Sequence, residues 1–304
     1  MKMPEPMQWL ANRGYLLMAI TALMWSGNAV IGRAVHETIP PIGLSFWRWA
    51  VALPVFVVLA WPHFRKDWPL VRCHWPILML FAILSISVYS TFVYIGLNTT
   101  TAINMLLINT GRPVVIVFLS YALFRERVTA VQALGLVLAL SGTLAILARG
   151  DLEVLIKVRF IAGDLWVVAA TVGWAIYTVL YPKRPAIHPT NLMLVTIVMG
   201  LAILLPFYLW EAFLVRPMPL GPQTYWAVGY LGLIAGGVGY LAFNRMVEVL
   251  GANRAGLTSY LVPIVGTTLA IFFLDEQFHA FQVAGISLIL VGVVFATRTR
   301  RGGT

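Results

Sequence analysis

Ten continuous apolar runs, each about 20 residues long, fill most of this 304-residue chain. An α-helix of that length crosses a hydrocarbon core of roughly 30 Å. Within such a core the backbone must satisfy its own hydrogen bonds, which leaves helices and closed barrels. The strands of a membrane barrel would alternate apolar and polar residues, and these runs do not alternate. The residues are 60% hydrophobic and 11% charged, against about 25% charged in a soluble domain. The sequence predicts an all-α integral membrane protein.

The ten predicted spans are 14–35, 41–61, 75–97, 99–123, 130–148, 163–182, 190–213, 223–249, 253–274 and 279–297. Prolines punctuate them at Pro40-Pro41, Pro62 to Pro76, Pro182 to Pro189 and Pro217 to Pro222. The longest connection, 149–162, is too short for a soluble domain. Function must therefore be carried out inside the lipid bilayer. The first run, from Gly14, is followed at once by others and lacks an A-x-A-like site, so it reads as a retained span.

Basic residues set the expected orientation. The side that holds both termini carries thirteen Lys and Arg, and the other side carries four. Cytoplasmic loops collect such residues, which puts both termini in the cytoplasm. The net charge of +10 reflects this bias, and no basic run is long enough for a nucleic-acid arm. The single cysteine, Cys73, rules out an intramolecular disulfide. The five histidines give no metal-ligand spacing, and no cofactor is expected.

The chain repeats itself. Pro113-Val-Val-Ile-Val-Phe-Leu-Ser-Tyr-Ala-Leu-Phe-Arg-Glu126 matches Pro263 to Glu276, each a proline, twelve residues and a glutamate. In a register of 149 to 150 residues, Gly14 falls on Gly163, Trp25 on Trp174, Gln132 on Gln282, Gly135 on Gly285 and Gly142 on Gly292. The expected units are two five-helix repeats, 14–148 and 163–297. Five is odd, so the second copy enters the membrane from the opposite side. Inverted repeats are the mark of many secondary transporters, in which exchange of the two halves' conformations alternates access.

Ten helices, two five-helix halves, the doubled P-x12-E and Leu23-Met24-Trp25-Ser26 resemble the EamA-type branch of the drug/metabolite transporter superfamily. The resemblance covers about 14–297. Within that branch the chain looks most like bacterial inner-membrane exporters of amino acids, aromatic ones included. It implies export of small metabolites, most of all aromatic and other neutral amino acids.

Polar and aromatic residues inside the spans are the candidate cavity lining, since such groups face the bundle interior. They are Trp25 and Asn28, Tyr89, Asn109 and Arg112, Trp174 and Tyr177, Tyr240 and Asn244, and Ser259 with Tyr260. Taken singly, each reads first as a structural interhelical hydrogen bond; as a set facing one another across the repeats they point to a pathway. Arg112 suits a substrate carboxylate, or backbone carbonyls freed by Pro113. Pro113 and Pro263 are candidate hinges, or static kinks. Arg48 is expected to snorkel toward the cytoplasm. Glu126 and Glu276 are expected to cap the helices that follow them. Gly135, Gly142, Gly285 and Gly292 mark close helix packing, within a monomer or at a dimer contact.

No Asp, Glu or His lies at a span centre, and no phosphate-binding loop occurs, so facilitated transport is the simplest energetic reading. A proton-coupled exporter of organic cations is the alternative, with Glu211, Glu248 or Asp164 near span ends as proton carriers. An intramembrane enzyme would need a nucleophile and base at membrane depth, and the spans offer no such pair.

Overall fold

The computed structural model describes residues 12–100, 102–151, 153–274 and 280–297, and among them every regular element is helical. The membrane-crossing segments are α1 (Gly14–Ala34), α2 (Pro41–Cys73), α3 (Trp75–Thr99), α4 (Ala102–Thr110 continued by Arg112–Phe124), α5 (Ala130–Leu147), α6 (Ala162–Leu180), α7 (Pro189–Val215), α8 (Pro222–Leu250), α9 (Thr258–Leu274) and α10 (Ala280–Thr297). Nine of them, among the described residues, have the length and apolarity to cross a bilayer; α9 has 17 residues. The fold is two inverted five-helix repeats. An even number of crossings returns α10 to the end of the bundle where α1 begins, called here the termini end.

The 62–76 stretch is not the break its prolines predict. α2 runs unbroken through Pro54, Pro62 and Pro69 to Cys73. At 1.5 Å per residue it outruns the hydrocarbon core by several turns. The overhang has a use, because it carries Asp67 to the start of α7. There Asp67 Oδ2 accepts the His188 backbone N–H at 2.8 Å and Asn191 Nδ2 at 2.7 Å. The opposite end mirrors this contact. Glu211, near the end of α7, accepts the backbone N–H groups of Ile42 at 3.2 Å and Gly43 at 2.6 Å. A carboxylate at a helix N-terminus satisfies orphan donors and complements the helix dipole. Helices α2 and α7 thus cap each other at both ends.

α5 and α10 pack through their glycines. A Cβ on Gly135 would fall 2.5 Å from the Gly292 carbonyl oxygen, and one on Gly142 would fall 2.5 Å from that of Gly285. The glycine faces are therefore taken up within one chain. The α5 cap is Thr129, which exchanges hydrogen bonds with Gln132. It is not Glu126. Glu126 instead accepts from Asn253 Nδ2 at 3.3 Å, because the chain leaves α4 through Arg125 in the left-handed region at φ 58° and turns Glu126 toward the second repeat. Glu276 lies outside the described residues.

Candidate solute cavity

α3 and α8, counterparts in the two repeats, each pass through a π-helical segment at mid-span, Ala82–Val88 and Tyr230–Val238. A π turn misaligns carbonyls with their usual partners, and such turns concentrate at functional sites. Each segment gives a carbonyl to an aromatic side chain of the other repeat. Tyr240 OH donates to the Ser85 carbonyl at 2.9 Å, and Trp25 Nε1 donates to the Ala235 carbonyl at 3.3 Å. These paired contacts hold the middles of α1, α3 and α8 together beside one cavity.

The cavity has a free volume of about 60 Å³. Eight of the thirteen residues that the sequence singles out line it: Trp25, Asn28, Tyr89, Asn109, Arg112, Tyr240, Ser259 and Pro263. That is room for only a few waters, so the site is narrow in this conformation. Trp174, Tyr177, Asn244 and Tyr260 are fully buried behind it. Trp174 is ringed by Trp25, Tyr89, Tyr177, Tyr240 and Phe243, with centroids 4.6 to 5.2 Å away. Tyr177 OH donates to Asn244 Oδ1 at 2.8 Å. This group forms the wall that fixes the lining.

The two prolines sit in different local structures. The hydrogen-bond ladder of α4 tightens at Gly111, whose N–H bonds the Ile108 carbonyl at 3.1 Å while its backbone stays right-handed, and Pro113 is the second residue of the helix that resumes at Arg112. There its missing N–H costs nothing, because a first-turn N–H has no intrahelical partner. Pro263 lies inside the continuous helix Thr258–Leu274. Its missing N–H removes the bond to the Ser259 carbonyl, and Ser259 is a lining residue.

Arg112 is buried, and its Nη2 donates to Tyr89 OH at 3.2 Å and to Asn109 Oδ1. Thr171 Oγ1, from the second repeat, donates to the same Asn109 oxygen at 3.4 Å. The guanidinium lies over the Tyr89 ring, 5.3 Å from its centroid. Its partners among the described residues are side-chain oxygens, not the carbonyls near Pro113.

Arg48 corrects the sequence reading. It does not snorkel toward the termini end, for it is 2% exposed and lines the cavity. Its Nη1 donates to Tyr94 OH at 2.7 Å and Asn28 Oδ1 at 3.4 Å, and the guanidinium faces the Trp49 ring at 5.0 Å. Arg48 stands seven residues after Pro41, about 10 Å along the helix from the end opposite the termini. A side chain cannot reach back past the rest of α2. Its distance from Pro41 was the signal in the sequence that pointed to depth.

The proton-carrier candidates are all engaged away from the cavity. Asp164 accepts from Thr100, from Asn104 Nδ2 at 2.8 Å and from the Ile161 N–H at 2.8 Å. Glu248 pairs with Arg184 and Arg245, both at 2.7 Å. Glu211 caps α2.

The model of the EamA-like transporter family matches the chain twice, at residues 12–148 and 161–298. An uncharacterized transporter of Archaeoglobus fulgidus is 26% identical over 289 residues, covering 94% of this chain and 98% of that protein. The uncharacterized transporter YyaM of Bacillus subtilis is 27% identical over 264 residues, covering 84% of each. One solved crystal structure superposes with a TM-score of 0.75 at 20% identity, over 93% of this chain and 96% of its own; that likeness speaks for the fold alone. The double match, over nearly the whole chain, establishes that this protein belongs to the EamA-like transporter family.

Proposed function

We propose that the protein exports small carboxylate-bearing metabolites, amino acids above all, by alternating access through the cavity between its repeats. The neutral and aromatic amino acids to which the family resemblance points are the starting panel. The observation that carries this reading is Arg112, a buried guanidinium in an aromatic cavity lined by both repeats. A charge held at membrane depth marks function, and a guanidinium binds carboxylate in a geometry no neutral group provides. Facilitated movement down the solute's gradient fits a cavity whose lining contains no carboxylate or histidine among the described residues. The family resemblance points to the inner membrane of a bacterial cell, and the basic-residue bias favours both termini on its cytoplasmic side.

The test is uptake of labelled amino acids into proteoliposomes of the purified protein, with and without a pH gradient. Saturable uptake without the gradient is the expected result. Uptake only with the gradient would refute the facilitator. Uptake of organic cations and of no amino acid would refute the substrate class.

A further inference from the structure

The cavity holds two buried cations and, among the described residues, no anion. Arg48 comes from α2 and Arg112 from α4, and both line it at 2% and 5% exposure. Every partner that holds them is neutral: phenol oxygens, amide oxygens and ring faces. The Nε–H of each guanidinium has no partner among the described residues.

The counter-charge does not come from elsewhere in the described chain. Eight of the eleven carboxylates are described, and none lines the cavity. Asp67 and Glu211 cap helices, Asp164 holds the α4–α6 contact, and Glu248 is shared by two other arginines. Glu126 bonds Asn253, while Glu37, Asp151 and Glu153 interact locally at the surface.

Two uncompensated guanidinium groups at low dielectric are costly. A zwitterionic amino acid brings no net charge and offers one carboxylate to two cations. We infer that the preferred solute carries two anionic groups, one for each guanidinium, and is an acidic amino acid or a related dicarboxylate. This rests on the cavity being the solute site, and it narrows the proposed substrate from neutral amino acids to those with a second carboxylate. The aromatic faces of Trp25, Tyr89 and Tyr240 then enclose the short carbon chain.

The experiment is competition in proteoliposomes. Uptake of labelled aspartate and of labelled threonine is measured against unlabelled aspartate, succinate, glycerol phosphate, threonine and choline. Aspartate and succinate are expected to compete about tenfold or more better than threonine, the value of one charge-assisted contact, and choline not at all. Glycerol phosphate competing as well as succinate would support the two-charge site while extending it to phosphate esters. Threonine competing as well as aspartate overturns the inference and leaves the proposed function standing. No uptake of either label overturns both. A second measurement needs no comparison of folded yields: Arg48→Gln is expected to reduce the ratio of aspartate to threonine affinity about tenfold. An unchanged ratio in well-folded Arg48→Gln would overturn the role of Arg48.

Discussion

Arg112 and Trp174 stand within one cluster and have opposite jobs. Arg112 presents a guanidinium to the cavity, whereas Trp174 is 0% exposed and packs against five aromatic rings. We predict that Arg112→Gln raises KM for a carboxylate solute about tenfold or more, since a hydrogen bond to a charged group contributes about 2 kcal/mol. Its thermal unfolding should change little. Trp174→Ala should do the reverse, removing about 3 kcal/mol of packing while leaving the order of competing solutes intact. Transport assays beside fluorescence-detected unfolding in detergent separate the two. From the sequence both residues read alike, as polar or aromatic groups within a span. Periodicity tells which face of a helix turns inward, but depth behind a neighbour's ring depends on how α1, α6 and α8 pack. That is why Asn109 and Tyr89 proved to be lining while Tyr177 and Asn244 bonded to each other behind it.

At the scale of elements, span number and repeat register were legible because run length and glycine spacing survive any detail of packing. Gly135 and Gly142 meeting Gly292 and Gly285 is the same repeat seen in space. We predict that Gly142→Val, whose Cβ would lie 2.5 Å from a backbone oxygen, costs about 3 kcal/mol through overpacking and lowers the yield of monodisperse protein. Ser141→Ala, one residue away, is expected to be silent in the same chromatographic assay. The π segments of α3 and α8 were not legible. A π turn is one extra residue in a helix of ordinary composition, and Ala82–Val88 differs in no residue type from the apolar runs beside it. The overhang of α2 is hidden from the sequence for a related reason. Proline signals a stop, but the Asp67 contact to α7 anchors the helix beyond Pro62.

The whole molecule must explain how a cavity of about 60 Å³ admits a solute. Something between the repeats moves, and the mutual caps narrow the choice. Asp67 ties α2 to α7 at the termini end and Glu211 ties them at the other end, in the same structure. A pair joined at both ends cannot serve as a gate that opens at one end without breaking a buried charge-assisted bond, a cost of about 2 kcal/mol. The hydrogen bonds that cross between the repeats at the cavity are neutral, such as Trp25 to the Ala235 carbonyl at 3.3 Å and Ser26 Oγ to the Val262 carbonyl at 3.1 Å. Movement is therefore expected where α1 meets α8 and α9, with α2 and α7 carried as one body. Cross-linking decides this. Thr190 Oγ1 donates to the Leu59 carbonyl at 3.3 Å, so Leu59→Cys with Thr190→Cys, in a Cys73→Ala background, puts two thiols on facing residues of the α2–α7 contact while leaving the carboxylates of Asp67 and Glu211 in place. A short thiol-specific linker there should leave uptake and trans-stimulation close to the uncross-linked rate. Transport abolished by the linker and restored by a cleavable version would make the α2–α7 contact the gate.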